Sequence, residues 1–92
     1  MILTQPNPGL QKWLESVCGV QTEVIPNPTE AQVRGKCVLG NLPISLAVMT
    51  QNIYTVDMPR LRDDQVDKQL GADEMVAAGA RLRAFRVLEV LQ

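Results

Sequence analysis

The chain contains no histidine. This removes the commonest general base, the usual partner in a nucleophilic triad and the commonest nitrogen ligand for metals. Cysteine is scarce as well. Cys18 and Cys37 stand far apart, without the Cys-x-x-Cys spacing that zinc sites use. Lys36 precedes Cys37, but neighbours on a strand point to opposite faces, so the ammonium is not placed to activate the thiol. Two reduced, buried thiols are the expectation, with no metal, no cofactor and no catalytic residue. Large rings are few: Trp13, Tyr54 and Phe85 are the whole aromatic content. A small domain with so few big side chains has a thin core, and association with copies of itself is a common remedy.

Charge of one sign is also missing. Nine basic residues face ten acidic ones, for a net charge of −1. A nucleic-acid binder would normally carry a basic excess, so nucleic acid is not an expected partner. No apolar run reaches the roughly 18 residues that a membrane helix needs. Met1 to Pro8 has no basic region followed by an apolar block, so no secretion signal is expected there. The expected location is therefore the cytoplasm, with no membrane partner.

What is present supports one globular domain. The chain has 92 residues, of which 46% are apolar, enough Val, Leu and Ile to offset chain entropy. Asn7-Pro8-Gly9 opens a helix, with a cap residue and a proline in the first turn. Leu10, Trp13, Leu14 and Val17 share one face, and Gly19 stops the run, which predicts a helix over 8–18. Trp13, the largest apolar group, is expected to fill the core.

Strands are predicted over 20–25, 31–39, 44–50 and 53–58. Pro26-Asn27-Pro28 separates the first two, and Gly40-Asn41 ends the second. Gln51-Asn52 reads as the turn of a hairpin between the last two. A short helix over 63–70 is predicted from Asp63 as cap, Val66 and Leu70 one turn apart, and Gly71 as stop. The last segment admits two readings. Asp73 to Gln92 has no proline, which permits one long helix. The β-branched, near-alternating run Phe85-Arg86-Val87-Leu88-Glu89-Val90-Leu91 favours a terminal strand over 83–91 instead. The resulting fold class is α+β to mainly β: an N-terminal helix on a four- or five-stranded antiparallel sheet or small barrel.

Chemistry-bearing clusters are thin. Asp63, Asp64, Asp67, Asp73 and Glu74 form an acidic stretch, without the regular spacing of a calcium loop. Arg81 and Arg83 share a strand face, followed by Arg86. The acidic stretch and this basic strip are the candidate partner-binding residues. They are expected to pair with each other when no partner is bound. Neither a Gly-x-x-x-x-Gly-Lys nor a Gly-x-Gly-x-x-Gly motif occurs.

The C-terminal half carries "IYTVDMPRLR" and then "AGARLRAFRVLEVL". This order resembles small tailed-phage head–tail joining, or head-completion, proteins, on Asp57, Pro59, Leu61, Gly79, Leu82, Phe85, Val87 and Val90. The resemblance implies a helix before a small β-barrel and a multi-copy ring between capsid portal and tail. The expected function is therefore a non-catalytic structural or interaction protein, a homo-oligomer or a companion of neighbouring virion proteins. The alternative is a small inhibitor that binds a host protein through its acidic 63–74 segment.

Overall fold

The start of the chain's first helix is set by a local signal. In the computed structural model, which describes residues 1–91, helix α1 runs Pro8–Ser16. The Asn7 carboxamide oxygen accepts the Leu10 N–H at 3.1 Å, and Pro8 supplies the fixed φ of the first turn. Its inner face buries Trp13 and Leu14. These two form one core cluster with Leu3, Leu70 and Met75.

Strands β1 (Ile2–Leu3), β2 (Glu23–Val24), β3 (Cys37–Leu39), β4 (Asn52–Asp57) and β5 (Arg81–Phe85) make one sheet in the order β2-β1-β3-β4-β5. β1 lies parallel to both β2 and β3, and β3 is parallel to β4. Only β5 runs antiparallel, pairing Ile53 with Phe85 and Asp57 with Arg81 on β4. The class is α+β, but the sheet is mixed rather than antiparallel. Its two edges, β2 and β5, stay apart, so it is an open sheet and not a barrel.

The predicted strand over 31–39 divides in two. Its first part is helix α2, Glu30–Val33, and its last part is β3. The cause is a Thr-x-x-Gln capping box. The Thr29 hydroxyl accepts the Gln32 N–H, while the Gln32 side chain accepts the Thr29 N–H at 2.8 Å. The predicted strand over 44–50 is helix α3, Ile44–Ala47, continued by turns. Pro43 starts it, its carbonyl accepting the Leu46 and Ala47 N–H groups. Leu46 and Met49 then meet the second core cluster, Ile2, Val33 and Val38, at helical spacing. The expected 44–58 hairpin is therefore absent, and β4 pairs with β3 and β5 instead.

The predicted helix over 63–70 shrinks to a 3-10 turn at Asp63–Gln65. Regular helix begins later, as α4, Ala72–Ala77. Gly79 ends α4. At φ +76° it occupies the left-handed position past α4. Its N–H bonds the Val76 carbonyl while the Ala80 N–H bonds that of Met75, the paired closure of a Schellman turn. The chain then reverses into β5. The terminal strand spans Arg81–Phe85 rather than 83–91, and residues 86–91 are irregular. The strand expected over 20–25 is confined to Glu23–Val24.

Both cysteines are free and half-buried, not fully buried. Desolvation pushes the Cys18 thiol above its ordinary value. It also raises the Tyr54 phenol, to which the neighbouring Cys37 adds. A folded-state pKa above the unfolded one stabilises the fold below the unfolded value, and that stability drains away as pH rises through the folded value. Urea midpoints are thus expected to fall as pH climbs above the ordinary thiol range, about 8.5. Cys18→Ala should flatten part of that slope, and an unchanged slope would contradict the assignment.

Candidate functional site

A parallel sheet offers its ligand surface where consecutive strands send their exits in opposite directions. Here that place lies between β1 and β3. β1 leaves through Thr4-Gln5-Pro6-Asn7 into α1 and returns as β2 on one side. β3 leaves through Gly40-Asn41-Leu42-Pro43 into α3 and returns as β4 on the other side. The two exits part and leave a crevice at the carboxyl ends of the strands.

The crevice is tightly framed. The Thr4 N–H donates to the Leu39 carbonyl at 3.3 Å, tying the two exits together. A Cβ on Gly40 would lie 2.0 Å from the Thr4 hydroxyl oxygen, and Gly40 has φ +132°. Glycine is required there for both reasons, and its absent side chain lets the Thr4 hydroxyl into the gap. A cavity of about 120 Å³ is lined by Thr4, Gln5, Asn7, Leu10, Leu39 and Asn41, among others. It adjoins a second cavity of about 170 Å³ that shares Asn7, Leu10 and Leu39. Val56, Met58, Leu70 and Met75 make the second one's apolar floor, and Lys68 brings a cation to its rim.

The chemistry of this space is hydrogen bonding above an apolar base, with one positive charge. Thr4, Gln5 and Asn41 each add a polar side chain. At the start of α1, Pro8 has no N–H and the Asn7 side chain occupies that of Leu10. Gly9 lines a separate groove with Lys12, Gly71 and Glu74, so the start of α1 adds no free N–H to this crevice. A wider, open groove of about 600 Å³ lies at the opposite, amino-terminal ends of β1, β2 and β3. It lacks the diverging loops that make strand carboxyl ends ligand surfaces.

The sequence-predicted partner residues fall elsewhere. Asp63, Asp64 and Asp67 are exposed in and after the 3-10 turn, and Asp73 and Glu74 occupy the first turn of α4. Each has a local task or none. Asp64 pairs with Arg62 at 3.2 Å, and a Glu74 carboxylate oxygen accepts the Gly71 N–H at 3.1 Å. Among the described residues no three Cys, Asp or Glu side chains gather as a metal site. Arg81 and Arg83 do share β5, both exposed. However, Arg83 pairs with Asp57 at 3.3 Å and lies 5.0 Å over the Phe85 ring, so the basic strip does not pair with the acidic stretch.

Sequence reasoning missed Thr4, Gln5, Asn41 and Lys68, and took Asn7 for a cap alone. The available signal was an apolar pair, Ile2-Leu3, followed by a polar turn and a capped helix, the pattern of a strand–helix unit. Compared with protein-family models, curated proteins and solved structures, the chain finds no match.

Proposed function

We propose that this chain is a binding domain. It holds a small anionic ligand, of mononucleotide size or a phosphate-bearing part of a larger molecule, in the crevice between β1 and β3. One observation carries the reading. The four parallel strands follow the order β2-β1-β3-β4 of doubly wound sheets, whose ligands sit at this switch point, and β5 is added antiparallel at the edge. Fold analogy alone does not assign a ligand, and the local chemistry supplies the rest. Lys68 and the three uncharged polar side chains of Thr4, Gln5 and Asn41 suit an anion on a polar scaffold. No imidazole or thiol faces the crevice, which favours binding over turnover.

Thermal unfolding with inorganic phosphate and a panel of nucleoside phosphates tests this. A ligand at 100 times its Kd should stabilise the fold by about 2.7 kcal/mol, visible as a raised Tm. Lys68→Ala should weaken that ligand by roughly tenfold or more, the cost of one charge-assisted hydrogen bond. A panel in which nothing raises the Tm would count against the proposal.

A second reading is favoured by the apolar C-terminal segment. Leu88, Val90 and Leu91 are 72%, 81% and 85% exposed, which supports a non-catalytic assembly component of the kind that the head–tail resemblance implies. The two readings are compatible, since the crevice and this segment involve different residues.

A further inference from the structure

We propose that β5 and residues 86–91 form a two-fold interface, pairing antiparallel with the same stretch of a second copy. β5 is the last strand of the sheet, so its outer edge has no strand beside it. Such an edge is a template for another strand. The chain continues past Phe85 without regular structure, yet it carries Leu88, Val90 and Leu91 almost fully in solvent, and Phe85 is 42% exposed. The Cα radius of gyration is 13.9 Å, with a long axis of 43 Å. A compact chain of this length would have a radius near 12 Å. The molecule is elongated, and the segment past β5 exposes apolar side chains.

The sequence of that end selects its own partner. A two-fold axis through an antiparallel pair requires one residue to face its own counterpart, because neighbouring residues point to opposite faces. With Phe85 on the axis, Leu82 lies opposite Leu88 of the second copy, Arg81 opposite its Glu89, and Ala80 opposite its Val90. Each pair occurs twice. Arg81 and Glu89 take part in no ion pair within the chain among the described residues, whereas Arg83 is already held by Asp57. Leu82 packs against the first core cluster, so Leu88 of the second copy would extend that packing across the axis. Moving the axis to Arg86 sets Arg86 against itself, and moving it to Arg83 does the same with Arg83. Like charges directly opposite are destabilising. The axis at Ala84 places Leu82 against Arg86. Of these registers, the Phe85 axis is the one that sets Leu82 against Leu88 and Arg81 against Glu89, while placing Ala84 against Arg86 and Arg83 against Val87 nearer the axis.

Sedimentation equilibrium on the full chain over a wide concentration range is the test. A dimer is expected. Glu89→Arg should weaken it about tenfold or more, because the pair is broken twice. Arg81→Glu should do the same, and the double reversal Arg81→Glu/Glu89→Arg should restore association. Leu88→Asp alters a side chain that is exposed in the monomer, so it should abolish the dimer while leaving the far-ultraviolet circular dichroism spectrum unchanged. The interface is overturned by a wild-type chain that stays monomeric at every concentration. It is also overturned by a dimer indifferent to Glu89→Arg and Leu88→Asp, or by rescue through Arg83→Glu in place of Arg81→Glu.

Discussion

Trp13→Ala is expected to lower the unfolding free energy by about 3–5 kcal/mol, the usual cost of emptying a buried tryptophan site. Trp13 is 2% exposed and sits in the cluster with Leu3, Leu14, Leu70 and Met75. The other two aromatics cannot compensate, since neither belongs to that cluster and Phe85 is 42% exposed. Small domains commonly have about 5–15 kcal/mol in total, so this one truncation should remove a large share. Trp13 shares this cluster with Leu3 of β1 and with Leu70 and Met75 from the segment around α4. Urea unfolding would show the loss as a lower midpoint. A change below about 1 kcal/mol would mean that the cluster is not the main core.

Gly9→Ala is the second large effect, and its sign opposes helix propensity. In a helix interior, alanine for glycine normally stabilises by roughly 0.5–1 kcal/mol. At this position a Cβ would lie 1.8 Å from the Leu70 carbonyl oxygen and 2.9 Å from its carbon. Both are backbone atoms, so no side chain can rotate aside. Either α1 or the 70–71 segment must shift, and overpacking of this kind costs about 1–3 kcal/mol or more. A net destabilisation of about 2 kcal/mol is expected by urea titration. The displaced segment also carries Leu70, with Lys68 two residues earlier, and both line the crevice. Gly9→Ala should therefore weaken ligand binding along with stability, whereas Lys68→Ala should weaken binding alone.

How much of this was legible in the residues varies with how local the cause is. The first helix could be read directly because Asn7, Pro8 and the Leu10–Trp13–Leu14 spacing lie within a few residues of one another. β4 was likewise marked by its own β-branched alternation over residues 53–56. α3 was not, since Leu46-Ala47-Val48-Met49 is apolar on every side, and periodicity cannot separate a buried strand from a buried helix there. The capping box at Thr29 was present in the sequence and outvoted by the alternation that follows it. The parallel arrangement was the least accessible feature. β1 and β2 have two residues each, too few to show a period, and which strand β1 joins depends on contacts far along the chain.

The site was hidden for the same reason. Thr4, Gln5 and Asn41 are ordinary turn residues in sequence. They become a crevice only because β1 and β3 are neighbours whose exits diverge. The acidic stretch from Asp63 to Glu74, conspicuous in sequence, divides between a 3-10 turn and the first turn of α4, where acids favour exposed helix starts. Chemical conspicuousness along the chain and proximity in space were different properties here.

The proposal depends on the gap between β1 and β3 being where a ligand sits. Titrating ¹⁵N-labelled protein with the phosphate compound that raises its Tm most, and following the amide resonances, interrogates that gap residue by residue. Binding there predicts shifts concentrated at Thr4 to Leu10, Gly40 to Leu42 and Lys68. Shifts gathered at the amino-terminal groove around Thr22, Gln32 and Lys36 instead, or none at any concentration, would contradict it.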